Sequence, residues 1–232
     1  EQSAVRPKRL PALDGRFVDP GPSGAPTRGR LDVLPTGRNF YSVDNRMVPT
    51  PAAWTLGRKS AELLVKHYVQ AHGNWPRHMG LSVWGTSNMR TGGDDIAQAL
   101  ALIGAKPVWD RVSWRLTGFE VMTLAELGRP RVDVTMRVSG FFRDAFPAQM
   151  DLFDSAVRAI GKLDEDADNN PIAARIIADT GELTASGMTA DDAERLAGFR
   201  VFGSKPGAYG AGLQALIDEK IWDDKRDLAD AY

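Results

Sequence analysis

The chain has 232 residues, of which 43% are hydrophobic and 25% charged, so its composition suits a globular protein with a sizeable core. Its 29 basic and 30 acidic residues give a formal net charge of -1, which excludes an overall field that attracts nucleic acid or an anionic membrane. The absence of cysteine excludes disulfides, thiolate metal sites and a cysteine nucleophile, and is compatible with a cytoplasmic location. No apolar run approaches the roughly 18 residues of a membrane span.

The first 51 residues are predicted to form an extended arm. Proline and glycine are concentrated at 19–26 and 34–37, and no helical or strand period accompanies them. A long segment of this kind is expected to lie on a surface or to follow a cleft. The chain begins with Glu1 and ends in a helical pattern without a capping signal, so we expect it to be an internal fragment of a longer protein.

An α/β domain is predicted for residues 52–163. Apolar spacing and end signals indicate helices over 52–72 and 94–103, and short strands over 79–84 and 107–109. Strand, helix and strand follow one another with short connections, which is the arrangement of a parallel sheet.

Further elements extend the same pattern. The predicted strands are 118–122, 132–138 and 200–202, and the predicted helices include 150–160, 172–183, 189–197 and a last one near the end. We therefore predict an α/β fold with an open, mainly parallel sheet and flanking helices, Rossmann- or flavodoxin-like. The extended N-terminal arm precedes it, and residues 164–232 form a mainly helical C-terminal extension.

Two polar segments follow predicted strands, and both are predicted to be loops. They are Trp84–Asp95 and Ser139–Asp144. Loops that leave the carboxyl ends of parallel strands share one edge of the sheet, where ligands bind. The side chains expected to bind a ligand there are Trp84, Thr86, Asn88, Arg90 and Arg143.

A structural interpretation of the same residues stays open. Gly92 and Gly93 suit a turn, and Asp94 with Asp95 suits the start of a helix. Arg143 beside Asp144 is equally typical of a surface ion pair.

Other kinds of site have little support. Neither glycine-rich segment has the G-x-x-x-x-G-K-[ST] pattern of an ATP-binding loop, and acidic residues at the helix start oppose a phosphate. His67, His72 and His78 miss the spacing of a helical zinc pair and are predicted to be surface residues. The segment 204–212 suits either an anion cradle or a hinge, and the hinge interpretation is favoured.

Three blocks of the sequence, 34–44, 84–99 and 128–144, closely resemble the large CobN-type subunits of the cobaltochelatase and magnesium chelatase family. The magnesium branch usually has Gly-Lys-Asn at the start of the first block and Tyr-Gly at Gly92-Gly93. The chain therefore fits the cobalt branch better.

The resemblance implies ATP-dependent insertion of cobalt, as a substrate, into hydrogenobyrinic acid a,c-diamide during cobalamin biosynthesis. ATP and magnesium would be used by partner AAA+ motor subunits of the CobS/CobT type and would not be bound by this chain. The other implied partner is the corrin substrate, with no nucleic acid and no membrane. Two alternatives stay open: magnesium insertion into protoporphyrin IX, and a non-catalytic scaffold or docking module of the chelatase.

A site hypothesis follows from this chemistry and from the shared sheet edge. Five polar side chains are expected to hold the carboxylate and amide periphery of the macrocycle: Arg38, Asn39, Asn88, Arg90 and Arg143. Asp94 and Asp144 are the candidate catalytic carboxylates, close to the protons or the metal. The residues that would bind the metal are not identified by the sequence.

Overall fold

The computed structural model describes residues 13–19, 21, 31–35, 43–209 and 213–231. The predicted substrate-binding residues Arg38 and Asn39 lie outside these ranges. The chain divides into two compact units, 1–45 and 46–232. Within the first, a short 3-10 helix is formed by Leu31–Val33. The division into an arm, an α/β domain and a helical extension stays a prediction.

The second unit combines helices with two small sheets. A 3-10 helix, Asn45–Met47, stands at the boundary between the units. The remaining elements, in chain order, are α1 Pro51–His72, β1 His78–Val83, α2 Gly85–Thr91, α3 Asp94–Ile103, β2 Ala105–Trp109, β3 Leu116–Val121, α4 Leu124–Leu127, β4 Asp133–Val138, α5 Gly140–Ala145, α6 Pro147–Gly161, α7 Pro171–Ala185, α8 Ala190–Ala197, β5 Val201–Gly203, α9 Gln214–Asp218 and α10 Lys225–Ala231.

The main sheet has three parallel strands in the order β1-β4-β5. His78 pairs with Asp133 at one end of the β1–β4 ladder, and Val83 pairs with Val138 at the other. Val138 in turn pairs with Gly203 of β5. The three strands therefore end in register at one edge, here called the carboxyl edge, and the predicted parallel α/β fold is confirmed.

The predicted parallel pairing of β2 was wrong. β2 pairs antiparallel with β3 in a separate two-stranded sheet, with Ala105 opposite Val121. Gly104 alone separates α3 from β2. A link of one residue is too short to carry the chain from the end of α3 back to the main sheet. A hairpin with β3 closes only a short loop and costs little chain entropy, and β4 takes the place beside β1.

The long helix α1 has a clear start and end. Thr50 caps it by accepting a hydrogen bond from the amide of Ala53 at 3.2 Å, and Gly73 ends it in the left-handed conformation at φ 74°. The buried stripe recurs every four residues at Ala53, Gly57, Ala61 and Val65. This stripe packs on α3 so closely that a Cβ on Gly57 would lie 2.6 Å from the Cβ of Ala97.

Helix α3 is the centre of the core. The predicted apolar stripe of Ile96, Ala99, Leu100 and Ile103 is buried, as predicted. Three further apolar residues, Ala97, Ala101 and Leu102, are buried as well. The reason is that α1, the strands β1 and β4, and helix α6 pack around the helix on different sides.

A buried arginine closes the carboxyl end of α3. Arg131 is 1% exposed and pairs with Glu165 at 2.7 Å. Its guanidinium also donates to the carbonyls of Ile103 at 3.1 Å and Met122 at 2.8 Å. The positive charge lies at the negative end of the α3 dipole, where it is stabilising.

A second buried ion pair holds β5 to the main sheet. Arg200, just before β5, makes two hydrogen bonds to the Asp133 carboxylate, at 2.6 and 3.0 Å. Both side chains are buried, and Asp133 is the first residue of β4. The pair therefore lies at the opposite end of the sheet from the carboxyl edge. Within the parts of the chain that the structure describes, no helix is long and apolar enough to span a bilayer.

Candidate functional site at the carboxyl edge

Three segments leave the main sheet at the carboxyl edge. They follow β1, β4 and β5, and they are Trp84–Asp95, Ser139–Asp144 and Ser204–Tyr209. The first two are the polar segments predicted to share one edge, and the sheet register places them side by side.

Both predicted loops are largely helical, so their assignment as loops was wrong. Gly85–Thr91 forms α2 and Gly140–Ala145 forms α5. Ser139 caps α5 by accepting a hydrogen bond from the amide of Phe142 at 3.2 Å. Each helix has one or two turns and little apolar period, so tertiary contacts stabilise it more than intrinsic propensity does.

The two short helices meet through a glycine. The amide of Gly85 donates to the Ser139 hydroxyl at 3.2 Å. A Cβ on Gly85 would collide with the Phe141 ring and lie 2.8 Å from the amide nitrogen of Phe142. Only glycine therefore allows this approach, and Ser139 links the segments. Sequence reasoning did not single out Ser139, although its N-cap position before a short polar run was a usable signal.

A buried amide organises the first segment. Asn88 is 0% exposed, and its side-chain nitrogen donates to the carbonyl of Trp84 and to the Asp95 carboxylate, each at 2.9 Å. Asp95 also accepts hydrogen bonds from the Trp84 amide and the Ser87 side chain. Among the described residues, no group donates to the side-chain oxygen of Asn88. A buried acceptor without a donor is costly, so this amide is held in place at the expense of one hydrogen bond.

Asp94 opens α3 beside this cluster. Its amide donates to the Thr91 hydroxyl at 3.2 Å, and one of its carboxylate oxygens is buried without a donor from the described part of the chain. Desolvation raises the pKa of Asp94, and the negative charge of Asp95 raises it further. Desolvation also raises the pKa of Asp95, against the lowering effect of its hydrogen bonds. The pair can therefore hold or accept a proton closer to neutral pH than ordinary carboxylates do.

These raised pKa values predict a pH-dependent effect of Asp94→Asn on stability. The folded state disfavours the ionised carboxylate, so stability is highest below the ordinary pKa of 3.8 and falls as the pH rises through the folded pKa. We expect Asp94→Asn to unfold at a higher urea concentration than the parent chain near pH 7. Below pH 3.8 the two midpoints should converge.

The matched control for this measurement is Asp191→Asn. Asp191 also lies in the first turn of a helix, but it is exposed. A gain in the urea midpoint near pH 7 that is equal in both variants would show that burial of Asp94 is not the cause.

The remaining predicted residues of the first segment lie on its outer side. Trp84 precedes α2 and is partly exposed. Thr86 and Arg90 lie on α2, and both are exposed. Their side chains are accessible to a ligand, whereas Asn88 and Asp94 present buried oxygens.

Arg143 binds the third segment of the edge. Its guanidinium donates to the carbonyls of Ser204, Lys205 and Ala208 at 2.7, 2.8 and 3.2 Å. It also forms a two-pronged ion pair with Asp144, at 2.8 and 3.1 Å. Three carbonyl groups of the third segment thus bind a cation, which disfavours an anion-binding site there. The guanidinium of Arg143 is likewise engaged within the protein and is not free to bind a ligand.

Asp144 lies in the same network. Its hydrogen bond to Arg143 lowers its pKa, and the side chain of Tyr209 lowers it further. The structure therefore separates the two candidate catalytic carboxylates by environment. Asp94 has the raised pKa that suits a proton acceptor, whereas Asp144 stays ionised and paired.

No resident metal site is evident in the described ranges. They contain no group of three or more histidine, cysteine, aspartate or glutamate side chains that could hold a metal ion. His67, His72 and His78 are exposed, as predicted.

Comparisons with known proteins agree on one family. The family described as CobN/Magnesium Chelatase matches residues 6–232. Aerobic cobaltochelatase subunit CobN of a Sinorhizobium species is 69% identical over 223 residues, which are 96% of this chain and 17% of that protein. A magnesium-chelatase subunit of Rhodobacter capsulatus is 40% identical over 223 residues, 96% of this chain and 18% of that protein.

A solved structure is also similar. The structure titled catalytic subunit of cobaltochelatase from Mycobacterium tuberculosis superposes with a TM-score of 0.79 at 54% identity. The match covers 97% of this chain and 18% of that one. The chain thus spans less than a fifth of the relatives that it matches.

Proposed function

The chain belongs to the CobN/magnesium chelatase family, and from this we propose that it is a part of the tetrapyrrole-binding large subunit of a cobaltochelatase. The full subunit would take part in ATP-dependent insertion of cobalt into hydrogenobyrinic acid a,c-diamide. The observation that carries the proposal is the carboxyl edge, where two buried oxygens lack donors from the described residues and two adjacent carboxylates have raised pKa values.

The first step that the edge would perform is proton removal. A metal ion can enter the macrocycle only when N–H protons leave its inner nitrogens. Asp94 would accept such a proton, since a base whose pKa is raised towards the working pH transfers protons efficiently. Asn88 is too buried to touch the ligand and would act indirectly, because its amide holds the Trp84 carbonyl and the Asp95 carboxylate and so fixes the segment that carries Asp94.

The second task is to hold the periphery of the macrocycle. Arg90 is exposed on α2 and suits a carboxylate, and Trp84 offers a partly exposed aromatic surface. Arg38 and Asn39 belong to the same proposal on the strength of sequence alone. Arg143 would act indirectly, because it holds the segment that begins at Ser204.

ATP hydrolysis is assigned to partner AAA+ motor subunits in the cytoplasm.

Cobalt is assigned as the metal substrate because identity to the cobaltochelatase relative is 69%, against 40% for the magnesium chelatase relative. The metal preference of the assembled complex, measured with cobalt and magnesium in parallel, distinguishes the two activities.

The proposal is tested by titrating the full-length subunit with hydrogenobyrinic acid a,c-diamide while following its absorbance. Arg90→Ala is expected to raise the Kd at least about tenfold, since a hydrogen bond to a charged group contributes about 1.5–3 kcal/mol and about 1.4 kcal/mol is a factor of ten. The matched control is Arg175→Ala, which removes an exposed arginine near Asp133, away from the carboxyl edge.

An unchanged Kd for Arg90→Ala would show that Arg90 does not bind the periphery of the macrocycle. Absence of binding by the parent subunit at high micromolar concentrations would favour the scaffold alternative instead.

A further inference from the structure

The hairpin tip, residues Asp110–Arg115 between β2 and β3, exposes more apolar surface than a turn of six residues needs. Val112 is 90% exposed and Trp114 is 53% exposed. Tryptophan usually buries most of its ring, so an exposed indole on a turn suggests a binding role.

The hairpin tip lies on the same side of the molecule as the carboxyl edge. Helix α3 starts at this edge, and β2 runs back towards it. At the end of β2, the Trp109 indole donates to the carbonyl of Pro49 at 2.8 Å. The next residue, Thr50, donates its amide to the carbonyl of Gly92 at 2.9 Å. Two short links thus connect the base of the tip with the segment that carries Asp94.

The backbone of the tip is held in one conformation by Asp110. One carboxylate oxygen accepts from the amides of Val112 and Ser113 at 3.2 and 2.7 Å, and from the Ser113 hydroxyl at 2.7 Å. The amide of Asp110 donates to the carbonyl of Arg115 at 2.8 Å, and that of Trp114 to the carbonyl of Asp110 at 3.0 Å. A preorganised turn loses little entropy when it binds a ligand.

Trp114 has a backbone conformation that bulky residues avoid. Its φ is 56°, in the left-handed region where glycine and asparagine are favoured. A tryptophan in this conformation costs conformational energy, and the incomplete burial of its ring does not offset that cost. Strain of this kind is concentrated at functional sites.

Two arginines share the hairpin tip with Trp114. Arg111 and Arg115 are both exposed, three and one positions from Trp114. An exposed indole and two exposed arginines on one short turn offer the groups that recognise a planar conjugated ring system with carboxylates at its rim.

We propose that the hairpin tip is a second contact surface for the macrocycle, in which Trp114 stacks on the conjugated ring and Arg111 and Arg115 bind its peripheral carboxylates. This inference rests on the proposed function, because the ligand is the same. The ring would lie between the tip and the segment Trp84–Asp95. Trp114 and the two arginines bind the macrocycle directly in this arrangement and take no part in proton transfer.

The test uses the full-length subunit and hydrogenobyrinic acid a,c-diamide as the probe, with Kd measured from the absorbance change. Trp114→Gly removes the ring and suits the positive φ, so the fold is expected to be retained. The Kd should rise about tenfold, as expected for loss of one aromatic stacking contact. Trp114→Phe keeps a ring and should bind within about threefold of the parent.

The matched control is Trp75→Gly, because Trp75 is 46% exposed and lies just before β1, at the opposite end of the strand from the carboxyl edge. Its Kd should equal that of the parent subunit. The double variant Arg111→Gln with Arg115→Gln should bind more weakly and show a smaller dependence of Kd on salt concentration.

The outcomes separate the two proposals. Binding by the parent with an unchanged Kd for Trp114→Gly overturns the stacking contact and leaves the proposed function in place. Equal weakening by Trp114→Gly and Trp114→Phe also overturns it, because phenylalanine retains a ring. No binding by the parent subunit contradicts both proposals. Weakening by Trp114→Gly alone, with Trp75→Gly unchanged, supports the contact.

Discussion

Replacing Asp94 by asparagine in the full-length subunit is expected to lower the rate of cobalt insertion by the assembled chelatase about a hundredfold. Removal of a positioned general base commonly costs a factor of about 10² to 10⁴. Asparagine keeps the size of the side chain and its hydrogen-bonding oxygen, but it cannot accept the proton. Because the folded state already disfavours the ionised carboxylate, the substitution should not destabilise the protein near neutral pH.

The expected signature is a fall in the single-turnover rate constant of insertion, with little change in the Kd for the macrocycle. Both are measured by following the corrin absorbance. Asp191→Asn, at a similar but exposed position in the first turn of α8, should have the parent's rate. A rate for Asp94→Asn within twofold of the parent would exclude Asp94 as the proton acceptor. A rise in Kd alone would assign it to binding.

The largest loss of stability is expected from Arg131→Met. This change leaves the Glu165 carboxylate without its ion pair and removes donors from the carbonyls of Ile103 and Met122. Breaking a buried pair by removing one partner costs about 3–5 kcal/mol. The free energy of unfolding of the chain, measured by urea denaturation near pH 7, should fall by this amount.

Arg175→Met is the matched control for Arg131→Met. Arg175 pairs with Asp179 one turn along α7, and its side chain is largely exposed. Exposed pairs contribute about 0–1 kcal/mol. A loss of less than about 1 kcal/mol for Arg131→Met would show that the buried arginine contributes no more than a surface pair does.

Elements with strong local signals were predicted well from the sequence. Helix α1 has a capping threonine, a proline in its first turn and Gly73 at its end. Helix α3 combines a regular apolar spacing with Gly104 after its last turn. In both cases the local preference and the tertiary packing agree, so the pattern was sufficient.

The pairing of β2 and the existence of the two short helices could not be predicted from local sequence patterns. The sequence of β2 does not encode its partner, and only its short hairpin connection to β3 decides between antiparallel and parallel pairing. Helices α2 and α5 depend on a contact between Gly85 and Ser139, residues that are far apart in the chain. Such contacts have no local periodicity.

The sequence placed the two polar segments at one edge of the sheet, and the strand register confirms this, whereas the roles of the site residues stay predictions. The sequence marks Asp94 both as a helix start and as a candidate catalytic carboxylate. Its place in the first turn of α3 confirms the helix start, and the pKa raised by burial suits the second role, which stays a prediction. Arg143 was expected to face a ligand. Its engagement by carbonyls of the segment from Ser204 onwards depends on β5 joining the sheet, and nothing near Arg143 in the sequence reports that contact.

The proposed function places the macrocycle at the carboxyl edge of the main sheet. The most direct measurement is a structure of the full-length subunit with hydrogenobyrinic acid a,c-diamide bound, determined by electron cryo-microscopy. We expect the macrocycle to lie within about 4 Å of Trp84 or Arg90, with its inner nitrogens facing Asp94. A macrocycle bound with no atom near the segment Trp84–Asp95 would contradict it.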